Sequence, residues 1–271
     1  MKILLTGSAG LVGREAQSLL RSDGHEVIGF DAVNDDDIRD APNLLRTMRD
    51  CDAVVHGAAI LDEDSPDLMT VNLAGTWNVL AAAEVAQVQR VVFWSSAAAL
   101  GVFKGERPPD YLPLDDAHPC YPSSPYAISK FLGEEMCRLW TQRTGISTIC
   151  LRPPGVFAAS IYEFIIENRR ADANFEWAPY WEYGAFLDVR DAARAALCAL
   201  TCPDPGHVRL LLCADDISSA TQSSRALAAL IHPDVAWRGG PEYEKEPFKA
   251  LIDTRRAKSV LGWTPRHKWR D

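Results

Sequence analysis

Lys2-Ile3-Leu4-Leu5-Thr6-Gly7-Ser8-Ala9-Gly10-Leu11-Val12-Gly13 opens the chain and decides how the rest is read. Its first half is an aliphatic run of strand length, and its second half leads into an amphipathic stretch, Leu11–Ser22. Glycines stand at positions 7, 10 and 13 between them. The first permits a tight bend, the second lets backbone N–H groups approach a pyrophosphate, and the third lets helix and strand pack closely. Glycines alone are weak evidence, because any turn uses them. A strand before and a helix after are the context such a turn needs. Working outward, further strand candidates are Glu26–Asp31, Ala53–His56, Arg90–Ser95, Ser147–Arg152 and Val208–Cys213. Helical stretches alternate with them at Leu44–Arg49, Asn72–Val88 and Tyr126–Thr144. Short apolar runs separated by helix-length segments predict βαβ units and a parallel sheet. The proline-bearing stretch from Lys104 to Pro125 reads as a long surface loop.

The second strand candidate ends at Asp31, eighteen residues past Gly13. A carboxylate there accepts both ribose hydroxyls of an adenosine and repels a 2′-phosphate. No Arg or Lys follows at Ala32, Val33 or Asn34, so NAD is favoured over NADP. Arg14 reads as a solvated helix residue. The 271 residues suffice for one large domain or a domain with a small appendage. A formal charge of −9 disfavours nucleic acid or an anionic membrane as partner. No apolar run is long enough to span a bilayer. The seven cysteines form no C-x-x-C, several sit in apolar runs, and no secretory h-region precedes Thr6. Buried free thiols and a cytoplasmic location are the expectation. His56, His118, His207, His232 and His267 have no spacing that suggests a metal site, and none is expected.

Tyr126-Ala127-Ile128-Ser129-Lys130 begins the helical stretch Tyr126–Thr144. Residues four apart share a helix face, so the phenol and the ammonium can meet one substrate. A phenol is a poor base at neutral pH, and an adjacent cation stabilises its phenolate. Thirty residues upstream, the strand candidate Arg90–Ser95 ends in Ser95-Ser96. The carboxyl edge of a parallel sheet is where ligands bind, and a serine there can hydrogen-bond the reacting oxygen.

Taken together these motifs resemble the extended short-chain dehydrogenase/reductases, in particular the NAD-dependent epimerase/dehydratase family. The matching pieces are Thr6–Gly13, Asp31, Asp37-Ile38, His56-Gly57-Ala58-Ala59, Asn72, Ser95-Ser96 and Ser124-Pro125-Tyr126 to Lys130. Leu151-Arg152-Pro153, Phe186–Asp191 and Leu261–Pro265 follow in family order, so the likeness covers nearly the whole chain. The resemblance implies an α/β, Rossmann-like doubly wound parallel sheet with a small C-terminal substrate-binding lobe. The dinucleotide domain would be residues 1–152 and 186–200, and the lobe 153–185 and 201–271. Gly7, Ala9, Gly10, Leu11 and Val12 would line the pyrophosphate, and Asp31 would hold the adenosine ribose. Asp37 and Ile38 would flank the adenine, with Ala58 and Ala59 against the cofactor and a Pro153 backbone group against the nicotinamide amide. Tyr126 would be the acid/base, Lys130 its electrostatic helper and a ligand of the nicotinamide ribose, and Ser96 the polariser of the substrate oxygen. Asn72 would support the geometry or its water. Hydride transfer at a secondary alcohol would follow.

Ala97-Ala98 after Ser96 departs from the acid pair of the family's dehydratases, and the family's Val-Tyr-Gly is here Ala99-Leu100-Gly101. Only 35 residues separate Arg152 from Asp188, a compactness that resembles uronate dehydrogenases more than nucleotide-sugar enzymes. Arg169 and Arg170 are the nearest candidates for a carboxylate. Phe175, Trp177, Tyr180, Trp181, Tyr183 and Phe186 read either as a stacking surface for a ring or as packing. The expectation is an NAD-dependent oxidoreductase/epimerase acting on a small sugar or sugar-like molecule, as a homodimer. The alternatives are a UDP-hexose 4-epimerase-like enzyme and a non-catalytic NAD(P)-sensing protein.

Overall fold

The computed structural model describes residues 1–103, 107–176 and 183–270. Strands β1 (Lys2–Thr6), β2 (Glu26–Phe30), β3 (Ala53–His56), β4 (Arg90–Trp94), β5 (Tyr111–Leu112), β6 (Ser147–Arg152), β7 (Val156–Phe157), β8 (Leu187–Asp188), β9 (His207–Leu211) and β10 (Ala236–Trp237) alternate with helices. The helices are α1 (Leu11–Ser22), α2 (Ala41–Met48), α3 (Thr76–Val85), α4 (Pro125–Thr144), α5 (Ala159–Ala171), α6 (Val189–Thr201), α7 (Ser224–Ile231), α8 (Glu242–Lys245) and α9 (Arg255–Leu261). Six strands form one parallel sheet in the order β2-β1-β3-β4-β6-β9. This is the doubly wound Rossmann-like sheet expected, and it reaches past residue 200 to take in β9.

Strand side chains alternate between faces, and the two cores record that alternation. Ile3, Leu5, Val55, Val92 and Leu151 join α6 and α9 in one core, and Ala16 and Leu20 bring α1 into it. Their neighbours Leu4, Val54, Val91, Phe93 and Cys150 face the other way, onto α2, α3 and α4. Alanines 192, 193, 195, 196 and 199 give α6 a small-residue face against the sheet and α1. The chain leaves β1 toward β2 on one side and returns to β3 on the other. That reversal opens a crevice at the carboxyl ends of the strands.

Among its described residues, 107–125, the stretch read as a surface loop is partly internal. Tyr111–Leu112 pairs in parallel with Ala236–Trp237, Leu114 bridges Ile252, and Leu112, Leu114 and His118 are buried. Prolines mask the apolar alternation there, and the pairing strand lies more than a hundred residues away, beyond any local signal. Val102, Phe103 and Leu112 pack with Tyr183, Leu211, Cys213, Leu251 and Ile252 in a third core beside the crevice. Among the aromatic run, Phe186 stacks on Phe157 and the Tyr183 hydroxyl donates to the Val102 carbonyl at 2.8 Å, so both are packing residues. Trp177, Tyr180 and Trp181 lie outside the described residues. All seven cysteines are free thiols. Among the described residues, no helix is long and apolar enough to cross a membrane.

Candidate active site

A cavity of about 870 Å³ fills the crevice, lined by the opening turn and by Ser96, Tyr126 and Lys130. Gly7 has φ +72°, and a Cβ there would lie 2.6 Å from the Ala58 nitrogen. A Cβ on Gly13 would lie 2.1 Å from the Gly7 carbonyl oxygen, so α1 is seated directly on the turn. Gly10 is the N-cap of α1 and supplies no side-chain acceptor. The first-turn N–H groups of the helix have no intrahelical partner, and they face the cavity that Gly10, Leu11 and Val12 line. The Asp31 carboxylate accepts from the backbone N–H of Ala9 at 2.8 Å and of Val33 at 3.1 Å. It therefore ties the end of β2 to the turn. An uncapped helix start, a glycine cradle closed to any Cβ, and a carboxylate at the neighbouring strand end fit a dinucleotide such as NAD.

Asp37 and Ile38 both line the cavity, as expected. Asp37 is engaged by the Arg39 guanidinium, which holds its carboxyl below the usual range and also reaches Asp67 at 3.1 Å. Ile38 is buried beneath Gly75, where a Cβ would come within 2.4 Å of its Cδ1. Ala58, Ala59 and Pro153 line the cavity too, but the Pro153 carbonyl accepts from the Ala97 N–H at 2.8 Å. That bond fixes the end of β6 against the turn that follows Ser96.

Behind this wall runs a closed chain of hydrogen bonds. The Thr6 hydroxyl oxygen accepts from the N–H groups of Gly57 and Ala58, each at 3.2 Å, so its proton goes to His56 Nδ1 at 2.7 Å. The Thr76 hydroxyl donates to the Asn72 carbonyl at 2.6 Å, so it accepts from His56 Nε2 at 2.9 Å. His56 is thus a neutral Nε2-H tautomer with both nitrogens satisfied. Burial, with the nearby Lys130 charge, pushes its pKa down to about 3. Asn72 does not line the cavity. Within a π-helical turn, Thr70–Gly75, its side chain clamps both backbone groups of Ile60 and donates to Ser129 Oγ at 3.0 Å. Ser129 in turn donates to the Tyr126 carbonyl at 2.8 Å.

At the far end Ser124 caps α4, accepting from the Ala127 N–H, with Pro125 in the first turn. Ser124 also donates to Glu63 at 2.8 Å. This cap aims the first turn of α4, with Tyr126, into the cavity. Burial pushes the Tyr126 phenol up to about 12, and its hydrogen bond with Ser96 opposes that shift. Lys130 is buried one turn on, its ammonium donating to the Trp94 carbonyl at 2.8 Å and lying 5.7 Å from the Tyr126 ring centre. Burial lowers its pKa to about 8, and the Glu134 charge pulls it back up. The Lys130 ammonium is directed at a strand carbonyl, and Tyr126 stays a proton donor through the neutral range.

The two serines separate by role. Ser96 meets the phenol, whereas Ser95 turns inward and donates to Glu134 at 2.5 Å. Glu134 is fully buried and pairs with Arg152 through two bonds, at 2.7 and 2.5 Å. Sequence reading missed this residue, although its place four beyond Lys130 on one helix face was a signal. Arg169 is occupied by Glu176 and by the Phe175 and Ser218 carbonyls, and is not part of the cavity lining.

Comparison with known proteins adds relatives to this geometry. A family model described as NAD dependent epimerase/dehydratase family matches residues 3–210. A putative UDP-glucose 4-epimerase of Methanocaldococcus jannaschii is 28% identical, over 97% of this chain and 93% of that protein. A uronate dehydrogenase of Pseudomonas syringae is 26% identical, over 94% of this chain and 86% of that protein. A short-chain dehydrogenase/reductase superfamily protein of Agrobacterium tumefaciens, solved with bound NAD, superposes with a TM-score of 0.73 at 25% identity, covering 100% and 94% of the two chains.

Proposed function

We propose, because this chain belongs to the NAD dependent epimerase/dehydratase family, that it uses NAD to move hydride at a secondary alcohol of a small, carbohydrate-like substrate. The observation that carries this reading is the meeting of Ser96, Tyr126 and Lys130 in a cavity that the uncapped start of α1 and Asp31 also line. Bound NAD supplies the hydride acceptor or donor and, when oxidised, a positive ring. The chain's own residues do the rest. Leu11 and Val12, in the uncapped first turn of α1, present backbone N–H groups to the pyrophosphate, while Gly7, Ala9 and Gly10, whose own N–H groups are bonded within the turn, leave it space. Asp31 accepts from the adenosine ribose while it holds Ala9, and Ile38 packs against the adenine with Asp37 at its edge. Ala58, Ala59 and Pro153 form the wall behind the nicotinamide half. The Ser96 hydroxyl donates to the substrate oxygen, and Tyr126 Oη exchanges a proton with the same oxygen. Lys130 donates to the nicotinamide ribose, and Asn72 holds the Ile60 backbone that borders the site.

Substrate size is argued from the wall near Ser96, where Ala97, Ala98, Phe103, Pro154 and Val156 line the cavity. Among the described lining residues the cations are Lys130 and Arg39, and Arg39 is committed to Asp37 and Asp67. That suits an uncharged polyol better than a nucleoside diphosphate. Full-length likeness to a putative UDP-glucose 4-epimerase supports a second reading, epimerisation of a UDP-hexose. A turnover screen with NAD and NADP against free aldoses, hexuronates and UDP-hexoses tests both. Net NADH formation on a free sugar is expected. Isomerisation of a UDP-hexose without net NADH would replace the first reading with the second.

The seven free thiols suit a reducing, cytoplasmic setting. A homodimer is proposed through the neighbouring helices α3 and α4, which carry Trp77, 48% exposed, and Leu139, 55% exposed. Such side chains in neighbouring helices mark an interaction face. Light scattering behind gel filtration is expected to give twice the chain mass, and Leu139→Glu to halve it. A wild-type mass of one chain at assay concentration would refute the dimer.

A further inference from the structure

We propose that Glu134 is the positioning residue of this site, a single buried carboxylate that keeps Lys130 cationic and ties the Ser95–Ser96 turn to the helix bearing Tyr126. The proposal deepens the functional reading above and rests on it for the role of Lys130. Glu134 has no exposed surface, and its oxygens are taken by three elements. Ser95 Oγ, past the end of β4, donates to Oε1 at 2.5 Å. Arg152, the last residue of β6, donates to Oε1 at 2.7 Å and to Oε2 at 2.5 Å. Arg209 of β9 lies 3.4 Å from Oε2 and pairs with Glu135 as well. Each of the first two partners adjoins a cavity residue, Ser96 after Ser95 and Pro153 after Arg152. The Pro153 carbonyl then closes the frame on the Ala97 N–H. One side chain therefore fixes α4, the end of β4 and the end of β6 together, which is how a reacting geometry is held preorganised.

Lys130 is buried and faces Tyr126, Glu134 and the Cys137 thiol on its own helix. From the sheet it faces the Cys150 thiol, the Phe93 ring, the Trp94 carbonyl and neutral His56. Glu134 supplies the anionic charge among these groups. A buried ammonium near neutrality depends on such a neighbour to stay protonated.

The test follows the Lys130 side chain itself by NMR titration of its Cε resonance in isotopically labelled protein without cofactor. Glu134→Gln is expected to lower the titration midpoint by about one pH unit. Because this variant leaves Arg152 buried without its anion, its folding is checked by circular dichroism, and Glu134→Gln with Arg152→Met serves as the charge-balanced variant. The same downward shift is expected there. Glu134→Asp, which keeps the charge, should restore the wild-type midpoint. NADH binding provides a second readout. Near pH 7.5 the Gln variants should bind about threefold more weakly, following the lost ammonium, and near pH 6 they should match wild type. A merely structural role would weaken binding equally at both pH values and leave the midpoint in place, and either result in a folded variant overturns the proposal. Failure of wild type to bind NADH would instead overturn the cofactor reading, since the Lys130 midpoint is measured without it.

Discussion

Tyr126→Phe is expected to lower turnover by ~10²–10⁴ while the protein keeps its fold and its NAD affinity. The ring that packs beside Lys130 and Ser96 is retained, and only the hydroxyl that exchanges a proton with the substrate is lost. The proposed dinucleotide contacts at Gly7, Asp31 and Ile38 do not involve the Tyr126 hydroxyl, so the dissociation constant for NAD should change by no more than about twofold. The pH dependence follows from the two charges. Burial pushes the Tyr126 phenol up to about 12 and Lys130 down to about 8. Below the Lys130 value the ammonium is present in both the folded and the unfolded chain, at the full cost of burying it. Between about 8 and its unfolded value near 10 the folded state loses the proton first, so stability rises with pH across that window. Tyr126 acts oppositely above pH 10, where the unfolded chain ionises first and the native state is disfavoured. A Tyr126→Phe enzyme that retains wild-type kcat on the substrate found in the screen would remove Tyr126 from the chemistry.

Gly7→Ala carries the other large effect, and on binding rather than rate. At φ +72° an L side chain is already strained, and the added Cβ would stand 2.6 Å from both the Ala58 nitrogen and the Gly57 carbonyl carbon. These are backbone atoms of the turn after β3, and that turn is itself pinned to Thr6. Relief requires β1 and β3 to part at their carboxyl ends, a cost of ~2–5 kcal/mol. The Gly10–Gly7 bond and the seat of α1 would move with it. We expect a lower Tm together with NAD binding too weak to saturate in calorimetry. Gly145→Ala is the control, since it shares a positive φ but meets nothing within 4 Å, and it should lower Tm with no loss of NAD binding. Equal NAD affinity in Gly7→Ala and wild type would mean that the turn does not hold the pyrophosphate.

Much of this molecule is legible locally. Each strand of the main sheet coincides with its sequence reading to within two residues; the inner strands β3 and β4 are buried throughout, whereas Arg209 interrupts the edge strand β9. Helix α1 matches throughout, and α4 begins at Pro125 because Ser124 and Pro125 announce a helix start in any context. The helix expected over Asn72–Val88 begins instead with a π-helical turn, where Asn72 faces Ile60 and Ser129 instead of solvent. Propensity cannot signal such a turn, since the partners that hold it come from other segments. His56 looked unremarkable by spacing, yet it bridges Thr6 and Thr76 across fifty and twenty residues.

By itself the sequence determined the alternation of strand and helix, the turn at Gly7–Gly13 and the candidates Asp31, Ser96, Tyr126 and Lys130. Each rests on periodicity, glycine chemistry or short spacing along one element. Only the tertiary structure decided that Ser95 turns inward to Glu134, that the Lys130 ammonium is directed at Trp94, and that Arg152 pairs with Glu134 behind them. It also paired part of an apparent loop with β10 and packed it into a core. The reason is common to all of these. Burial sets the charge state of an ionisable group and selects its hydrogen-bond partner, and burial is a property of segments brought together from distant parts of the chain.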